Sequence, residues 1–337
     1  MSNPTYAVIA VGNALVDVLA KVSEEFLAEQ IEKYGMQRNA MTLIDEARAV
    51  ELYAQLCASD HVEFVQTSGG SAANTMAGFA SFGGKGAFTG KVASDELGDI
   101  FRSDMKEQGI CHDTVSLVIG APTGRCMILV TPDGDRTMNT FLGASVELGR
   151  PDIEEELIAS AKVTYLEGYL FDREQAKMAF ITAADYAHEA GHRVALSLSD
   201  QFCVERHRED FLKLVENHID ILFANEEEIK ALFQVDTHEE AQALVSKNVE
   251  IACLTRGELG AVFVTPDQTI TIPSIPVAEV VDTTGAGDQF AAGFLYGFTN
   301  GMGIAECGRL ATVAATEVIQ HVGPRPQVNL AKLARLE

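Results

Sequence analysis

The sequence predicts an α/β fold in which helices flank a doubly wound, mostly parallel sheet and a small second β-sheet forms a lid. Short apolar runs alternate with helical patterns from residue 152 onwards, which is typical of a parallel sheet covered on both faces. Two β-rich stretches, near 15–67 and 112–142, interrupt that alternation. The chain has 337 residues, of which 47% are hydrophobic, and this is enough for a core with an additional lobe.

The first third of the chain begins with the pattern of a buried strand. The apolar run Tyr6–Val11 precedes Gly12, and a continuous apolar run of this length predicts a strand buried on both faces. Ser23 is a suitable N-cap for the helical pattern that follows it. The remaining patterns predict helices over 23–33, 47–57, 72–82 and 95–108, and strands over 61–66 and 86–90.

The rest of the chain divides into a β-rich stretch and an alternating α/β stretch. The turn sequence Pro132-Asp133-Gly134-Asp135 predicts a hairpin between neighbouring β runs. We expect strands over 115–119, 125–131, 137–142, 163–166, 194–198, 219–224, 251–255 and 270–281, and helices over 173–190, 206–215, 226–232, 237–247, 289–298 and 306–318. We therefore assign residues 1–14, 68–111 and 143–337 to the core and residues 15–67 and 112–142 to a discontinuous lid.

Composition limits the function classes that the chain can serve. The net charge of −24 argues against nucleic acid as a partner, because backbone binding needs a basic surface. The apolar stretch at the amino terminus is too short and too polar to span a bilayer, so we expect no membrane partner and a cytoplasmic location. Six cysteines without a CxxC pair indicate free thiols in a reducing compartment. Both a monomer and a homodimer are compatible with the sequence.

The strongest chemical motif lies between a β run and a helix rich in small residues. Gly285, Ala286 and Gly287 allow the backbone to turn so that amide groups at the helix N-terminus form an anion hole. Asp288 follows directly, where a phosphate would bind. A carboxylate at that position suits a base that accepts a proton from an attacking hydroxyl. On spacing alone, an ordinary glycine turn with Asp288 as a helix cap remains the alternative.

The same residues resemble a known family. The segment DTTGAGD at 282–288 resembles the carboxy-terminal motif of ribokinase-like (PfkB-type) carbohydrate and nucleoside kinases. The segment from Ser68-Gly69-Gly70-Ser71 to Gly98 resembles their amino-terminal motif, and the likeness extends over residues 6–328. It implies the ribokinase-like fold and an ATP-dependent phosphotransferase with an alcohol acceptor. A P-loop of the form GxxxxGK[ST] is absent from the sequence, so the phosphate site would be of a different type.

Four further segments, at 12–17, 122–126, 197–202 and 221–226, are most similar to the adenosine kinases within that family. The sequence departs from their pattern at Ser197, Asp200 and Gln201. The resemblance implies transfer of the γ-phosphate to the 5′-hydroxyl of adenosine, giving AMP and ADP in purine nucleoside salvage. The alternative acceptor is a sugar such as ribose, fructose or 2-keto-3-deoxygluconate. A third possibility, a ligand-binding regulator with a degraded kinase fold, is disfavoured by the intact motifs.

The acceptor site is predicted from chemistry and from the resemblance together. Asp17 follows the first strand, at the carboxyl end where α/β sheets bind ligands, and its carboxylate suits a ribose diol. The resemblance adds the glycine turn and the helix after it, and a purine needs flat apolar walls. The predicted acceptor-binding residues are Asn13, Asp17, Gly70, Ser71, Asn74, Met138 and Phe202.

The nucleotide site is predicted from the resemblance at the ends of later strands. There, Asn225 and Glu228 would act through water on Mg²⁺, and Thr255 and Gly257 would contact ATP phosphates. Arg136 on the lid would reach the transferring phosphate, where a guanidinium suits spread charge. Catalytic roles thus fall to Asp288, Gly285, Ala286, Gly287 and Arg136. The expected cofactors are ATP and Mg²⁺. The resemblance also implies K⁺ near the backbone oxygens of Asp282 and Thr284, since several relatives bind a monovalent cation there.

Overall fold

A computed structural model describes residues 4–38, 40–58, 64–132 and 135–336. Its strands, numbered in chain order, are β1 (Tyr6–Val11), β2 (Leu15–Lys21), β3 (Met41–Leu43), β4 (Phe64–Gly69), β5 (Gly86–Thr89), β6 (Thr123–Val130), β7 (Arg136–Gly143), β8 (Ala161–Glu167), β9 (Arg193–Ser197), β10 (Ile221–Asn225), β11 (Ile251–Thr255), β12 (Ala261–Val264) and β13 (Thr269–Ile272).

The helices are also numbered in chain order. They are α1 (Glu24–Tyr34), α2 (Glu46–Ala58), α3 (Ser71–Ser81), α4 (Glu96–Glu107), α5 (Glu155–Ala159), α6 (Glu174–Glu189), α7 (Gln201–Arg206), α8 (Arg208–His218), α9 (Glu226–Phe233), α10 (His238–Val245), α11 (Ala286–Thr299), α12 (Ile304–Val318) and α13 (Leu330–Leu333). None of the described helices is long and apolar enough to cross a membrane.

The large sheet confirms the predicted fold class. Its strand order in the described chain is β13-β12-β11-β10-β9-β8-β1-β5, and neighbouring strands are parallel except at the β11–β12 and β12–β13 pairs. Along β1, Val8 and Ala10 belong to one hydrophobic cluster, whereas Ile9 and Val11 belong to another. Since side chains alternate along a strand, β1 is buried on both faces, as its apolar run predicts.

The small sheet has the order β3-β7-β6-β2-β4. Its strands come from two excursions of the chain, as the β-rich stretches predict; the limits of the two domains themselves stay a prediction. The strand predicted over 115–119 is wrong. Only an isolated bridge joins Leu117 to Ala93 there, and Val118 and Ile119 are 81% and 89% exposed. Among the described residues, this segment has no neighbouring strand that would complete a hydrogen-bonded ladder.

Two more predictions need correction, and several elements were missed. The run over 270–281 is a strand only at β13, because Pro273 and Pro276 lack the N–H that a ladder needs. The helix over 206–215 is instead α7 and α8, which meet at His207, whose φ of −121° is not helical. Strands β2, β3 and β12 and the short helices α5 and α13 were not predicted. Residues 61–63 of a predicted strand, and Asp133 and Gly134 of the predicted turn, lie outside the described residues.

Candidate active site

The candidate site lies where the carboxyl ends of the parallel strands meet the small sheet. Strands β1, β8, β10 and β11 end on one edge of the large sheet, the usual place for ligands in such folds. Only residues 12–14 separate β1 from β2, which belongs to the small sheet. Strand β4 of the small sheet leads through Gly70 into α3. The two sheets therefore form the sides of one cleft.

Helix α11 begins at this cleft, and aromatic stacking holds it against the large sheet. The ring of Phe263 on β12 stacks on Phe290 and Phe294, with centroids 5.8 and 5.6 Å apart. The N-cap is Gly285, at φ 80°. A Cβ on Gly285 would lie 2.5 Å from the carbonyl oxygen of Pro324, so both conformation and space demand glycine. The helix start is thereby fixed at the mouth of the cleft.

The predicted anion hole is only partly free. The amide of Ala286 donates to the Thr283 carbonyl at 3.1 Å, so it is already engaged in the turn. Within the described residues, the amides of Gly285 and Gly287 have no acceptor. A Cβ placed on Gly287 would meet nothing within 4 Å. Open space beside free amides at a helix N-terminus suits an anion.

Asp288 occupies the first turn of α11 and faces α3 across the cleft. The hydroxyl of Ser71 donates to Asp288 Oδ1 at 2.6 Å. Desolvation raises the pKa of the Asp288 carboxyl to about 6, and hydrogen bonds from Ser71 and Asn74 together with the charge of Arg325 oppose that rise. A carboxyl whose pKa is close to neutral pH can accept a proton and release it again.

Asp17 lies near Asp288 but not where the sequence predicts. It is in the middle of β2, opposite Thr67 of β4 and Cys126 of β6, and not at the end of the first strand, because the chain enters a second strand at once. Desolvation raises its pKa to about 6, helped by the charge of Asp288 and opposed by Arg325. A Cβ on Gly69 would lie 2.3 Å from Asp17 Oδ1, so this glycine makes room for the carboxylate.

The buried carboxylate of Glu167 binds residues on both sides of the glycine turn before α3, namely Asn13 and the Ala72 amide. Gly70 has φ 95°, and a Cβ on it would lie 2.2 Å from the carbonyl oxygen of Asn13. The Asn13 amide donates to Glu167 at 2.8 Å and accepts from Ser145 at 3.0 Å, and Asn13 is only 2% exposed. Both ends of the Asn13 side chain are therefore engaged within the protein, and its contact with an acceptor stays a prediction.

The lid contacts the core through an ion pair beside the anion hole. Arg136, the first residue of β7, pairs with Asp282. Arg136 binds Asp282 Oδ2, which also accepts from the Gly323 amide at 2.9 Å. Asp282 Oδ1 accepts from the amide and the hydroxyl of Thr284 at 3.0 and 2.7 Å. These donors lower the pKa of Asp282 despite its burial. Arg136 is thus held beside the turn that leads into α11, and its role toward a phosphate stays a prediction.

On the nucleotide side, Asn225 and Glu228 bind each other in a capping box at the start of α9. The Asn225 amides donate to the two Glu228 oxygens at 3.0 and 2.7 Å, and burial raises the pKa of Glu228 to about 7. Thr255 ends β11, beside Asn225. Gly257 follows at φ 55°, and a Cβ there would meet no atom within 4 Å.

The two predicted wall residues differ in accessibility. Met138 lies within β7, between Met41 and Ile128 of the neighbouring strands, and is partly buried. Phe202 lies on α7 and is 67% exposed. Burial raises the pKa values of Glu228 and Tyr169, and the charge of Asp200, two residues before Phe202, adds to both rises. Phe202 therefore lies at the rim rather than the floor of the cleft.

A comparison with protein families decides the class of the chain. Residues 38–330 match the pfkB family of carbohydrate kinases. The chain belongs to that family. Its site is accordingly that of a phosphotransferase with an alcohol acceptor, and the ATP dependence of the family comes with it.

Individual pfkB relatives carry two kinds of name. A structure from Rhizobium etli, described as a probable sugar kinase, is 45% identical; it covers 99% of this chain and 98% of its own, with a TM-score of 0.88. Adenosine kinase from Sinorhizobium meliloti is also 45% identical, covers 98% and 99%, and has a TM-score of 0.87. Adenosine kinase from Saccharomyces cerevisiae is 27% identical over 95% of this chain and 96% of its own.

Two residues of this pfkB kinase's cleft were missed by the sequence reasoning. Glu167 ends the apolar strand β8, and a lone carboxylate at the carboxyl end of a buried strand could have signalled it. Its oxygens accept from Asn13 and from the Ala72 amide, and burial raises its pKa to about 7. Arg325 is in a Gly-Pro-Arg-Pro segment that carries no comparable signal.

Proposed function

We propose that the chain is an ATP-dependent kinase that transfers the γ-phosphate of ATP to the 5′-hydroxyl of adenosine, with Asp288 as the base. One observation carries the proposal: a carboxyl with a pKa raised to about 6 lies at the N-terminus of a helix whose Gly287 amide is free. An acid–base group beside an anion site is the pairing that phosphoryl transfer to an alcohol requires.

In this reaction the acceptor oxygen attacks the γ-phosphorus while its proton passes to Asp288, and ADP leaves. The bond from the γ-phosphorus to the ADP oxygen breaks as the new bond to the acceptor oxygen forms. The amides of Gly285 and Gly287 stabilise the charge that develops on the phosphoryl oxygens. Arg136 exchanges its pairing with Asp282 for the phosphate, since a guanidinium binds phosphate well.

The acceptor would be held on the side of α3 and the small sheet. Asp17 would accept hydrogen bonds from the ribose hydroxyls, and Asn74 and the Gly70 turn would contact the same sugar. Asn13 would act through Glu167, which it binds, as a positioning residue. Phe202 at the rim would cover the base when the lid closes, with Met138 as part of the wall. The full-length match to a yeast adenosine kinase supports this acceptor.

The nucleotide side contains groups that suit Mg²⁺. Glu228 supplies a carboxylate and Asn225 an amide oxygen, both hard oxygen donors at the end of β10. Their mutual hydrogen bonds favour contact through water. When bound, Mg²⁺ would neutralise charge on the ATP phosphates. Thr255 and Gly257 would contact those phosphates. The Asp282 carboxylate is fully engaged, so a K⁺ ion there would use backbone oxygens of Asp282 and Thr284.

A sugar is the second candidate acceptor. The Rhizobium etli relative, as similar as the Sinorhizobium enzyme, is described as a probable sugar kinase. Asp17 would bind the hydroxyls of a sugar as readily as those of a nucleoside. The proposals differ in what fills the rest of the pocket, because a purine needs stacking surfaces and a sugar needs polar contacts.

A substrate panel tests the proposal. The protein with ATP and Mg²⁺ is offered adenosine, guanosine, inosine, cytidine, ribose, fructose and 2-keto-3-deoxygluconate, and ADP formation is measured. We expect turnover with adenosine well above that with every free sugar. Turnover on a sugar without any on adenosine would overturn the adenosine proposal in favour of the alternative. No ADP above the ATP-only control with any acceptor would count against both.

A further inference from the structure

We propose that Arg325 is a positioning residue of the acceptor site, which orients the Asn74 side chain so that its NH₂ group faces Asp288. The inference rests on the proposed function, because it concerns the predicted base. Arg325 follows α12, in the segment Gly323-Pro324-Arg325-Pro326. It reaches the cleft from a part of the chain that contains none of the predicted site residues.

Arg325 makes three directed contacts with three different elements. Its Nε donates to Asn74 Oδ1 on α3 at 3.0 Å, one terminal nitrogen donates to Asp104 on α4 at 2.8 Å, and the other donates to Ser68 on β4 at 2.8 Å. The guanidinium is planar and its donors have fixed directions. Three contacts in one plane therefore fix both the position and the tilt of the group.

The contact with Asn74 decides which end of an amide enters the cleft. A side-chain amide has an acceptor oxygen and a donor NH₂ of nearly the same shape, and its hydrogen-bond partners determine the orientation. Arginine has no acceptor, so it can bind only the oxygen of Asn74. The NH₂ group is left for the other side, where a hydrogen bond from Asn74 lowers the pKa of Asp288. A flipped amide would present an oxygen to the carboxylate and repel it.

Arg325 also supplies positive charge to a cleft rich in acids. Asp288 faces Asp17 from β2, Glu167 and Tyr165 from β8, and Tyr169 from the turn after β8. Arg325 lowers the pKa of both Asp17 and Asp288. It therefore has two separable effects on Asp288, one through its charge and one through the orientation of Asn74. Lysine can retain the positive charge but lacks the planar guanidinium that orients Asn74.

The backbone around Arg325 is anchored without its side chain. The Gly323 amide donates to Asp282 at 2.9 Å. The Pro324 carbonyl accepts from the Gln289 side chain at 2.9 Å, and that same amide donates to the Asn74 carbonyl at 2.9 Å. Variants at Arg325 should consequently fold, because these contacts hold the segment against α11 and α3.

The test compares Arg325→Gln and Arg325→Lys with Arg193→Gln as a matched control. Arg193 makes an exposed ion pair with Glu250 at the opposite end of β9. With the acceptor that the wild type phosphorylates, we expect Arg325→Gln to lower kcat by about 10- to 100-fold through misalignment of the base. The KM for ATP should stay within about twofold. Arg325→Lys should show most of the same decrease in kcat, because lysine lacks the planar group that orients Asn74.

The pH profile distinguishes positioning from a purely structural role. Asp288 must be ionised to act, so kcat/KM falls on the acid side as the carboxyl protonates. Loss of the cation and of the oriented NH₂ group raises the pKa of Asp288, and Arg325→Gln should move this acid limb to higher pH. Arg325→Lys retains the charge, so its acid limb should lie between those of the wild type and Arg325→Gln.

A second measurement does not depend on turnover. A ¹³C NMR titration of the Asp288 carboxyl, assigned with Asp288→Asn, should show a higher pKa in Arg325→Gln than in the wild type and in Arg193→Gln. If Arg325→Gln only lowers the melting temperature, and its kcat, acid limb and Asp288 titration match the control, the proposal is wrong. A wild type that phosphorylates no acceptor would refute the proposed function instead, and the NMR titration would still decide the role of Arg325.

Discussion

Two carboxyl groups in one cleft reach nearly the same pKa with different surroundings. Asp288 accepts a hydrogen bond from Ser71 at 2.6 Å and another from Asn74. For Asp17, by contrast, desolvation is opposed only by the charge of Arg325. An oriented donor fixes the direction of a carboxylate as well as its charge. Asp288 is therefore held for directed proton transfer, whereas Asp17 keeps free lone pairs for a ligand.

Asp288→Asn should abolish most turnover but keep the cleft intact. Asparagine has nearly the same shape and can still accept from Ser71, but it cannot take a proton. We expect kcat to fall by about 10²- to 10⁴-fold, with adenosine binding by calorimetry changed far less. The control is Asp185→Asn, at a half-exposed position paired with His218, which should behave as wild type. Near-normal turnover of Asp288→Asn would remove Asp288 from its role as base.

At the scale of elements, two glycines at the start of α11 have opposite constraints. Gly285 is at φ 80°, and a Cβ there would collide with Pro324, whereas Gly287 has open space around the position of a Cβ. Glycine at 285 is thus demanded by the fold. Nothing in the protein's own packing demands it at 287. The remaining reason is a ligand that would occupy that space.

The matched pair Gly285→Ala and Gly287→Ala tests this difference. Gly285→Ala should lower the free energy of unfolding by about 2 kcal/mol or more, because it combines an unfavourable φ with a collision. Gly287→Ala should leave the melting temperature unchanged or slightly higher, since alanine favours helix, yet raise the KM for ATP about tenfold. Thermal unfolding and ATP titrations measure both. Unchanged ATP affinity in a folded Gly287→Ala variant would contradict a phosphate site there.

The prediction of elements from sequence succeeded where local signals and burial agree. The apolar run of β1 and the Ser23 cap of α1, whose hydroxyl accepts from the Phe26 amide at 3.2 Å, act locally. The failures depend on distant partners. Residues 115–119 have strand-like composition but form only an isolated bridge with Ala93 within the part of the chain that the structure describes. The contact of Asn13 with Glu167, 154 positions away, was likewise not predicted, while the role of Asn13 in acceptor binding stays a prediction. No local pattern contains such information.

At the scale of the whole molecule, the acidic side chains of the cleft serve the proposed reaction but lower the stability of the folded protein. The chain has a net charge of −24, and the charge of Asp288 acts on both Asp17 and Glu167 in the cleft between the sheets. The cation that faces Asp17 and Asp288 among the described residues is Arg325. Ionised, these acids repel one another and lose hydration. Active sites commonly contain such arrangements at a cost in stability.

Asp17→Asn should stabilise the protein above neutral pH while weakening acceptor binding. Burial raises the pKa of Asp17 from 3.8 to about 6, so the folded state retains a proton that the unfolded state has already lost between these values. Stability from this group is therefore lost as the pH rises towards about 6. The advantage of the variant should grow over that interval and then level off. We expect on the order of 1 kcal/mol, less than the full pKa rise would give, because Asp17 as a whole residue is only half-buried.

Thermal unfolding of Asp17→Asn and wild type from pH 5 to pH 8 measures this advantage, with Asp185→Asn as the control for loss of one negative charge. Repeating the series at high salt separates the cost of the desolvated Asp17 carboxyl from the repulsion among surface charges. Salt screens surface charges but barely affects a desolvated carboxyl. The advantage of Asp17→Asn should persist in salt, whereas any effect of Asp185→Asn should vanish. An advantage that is equal at both ends of the pH range would show that the Asp17 carboxyl is not desolvated in the folded protein.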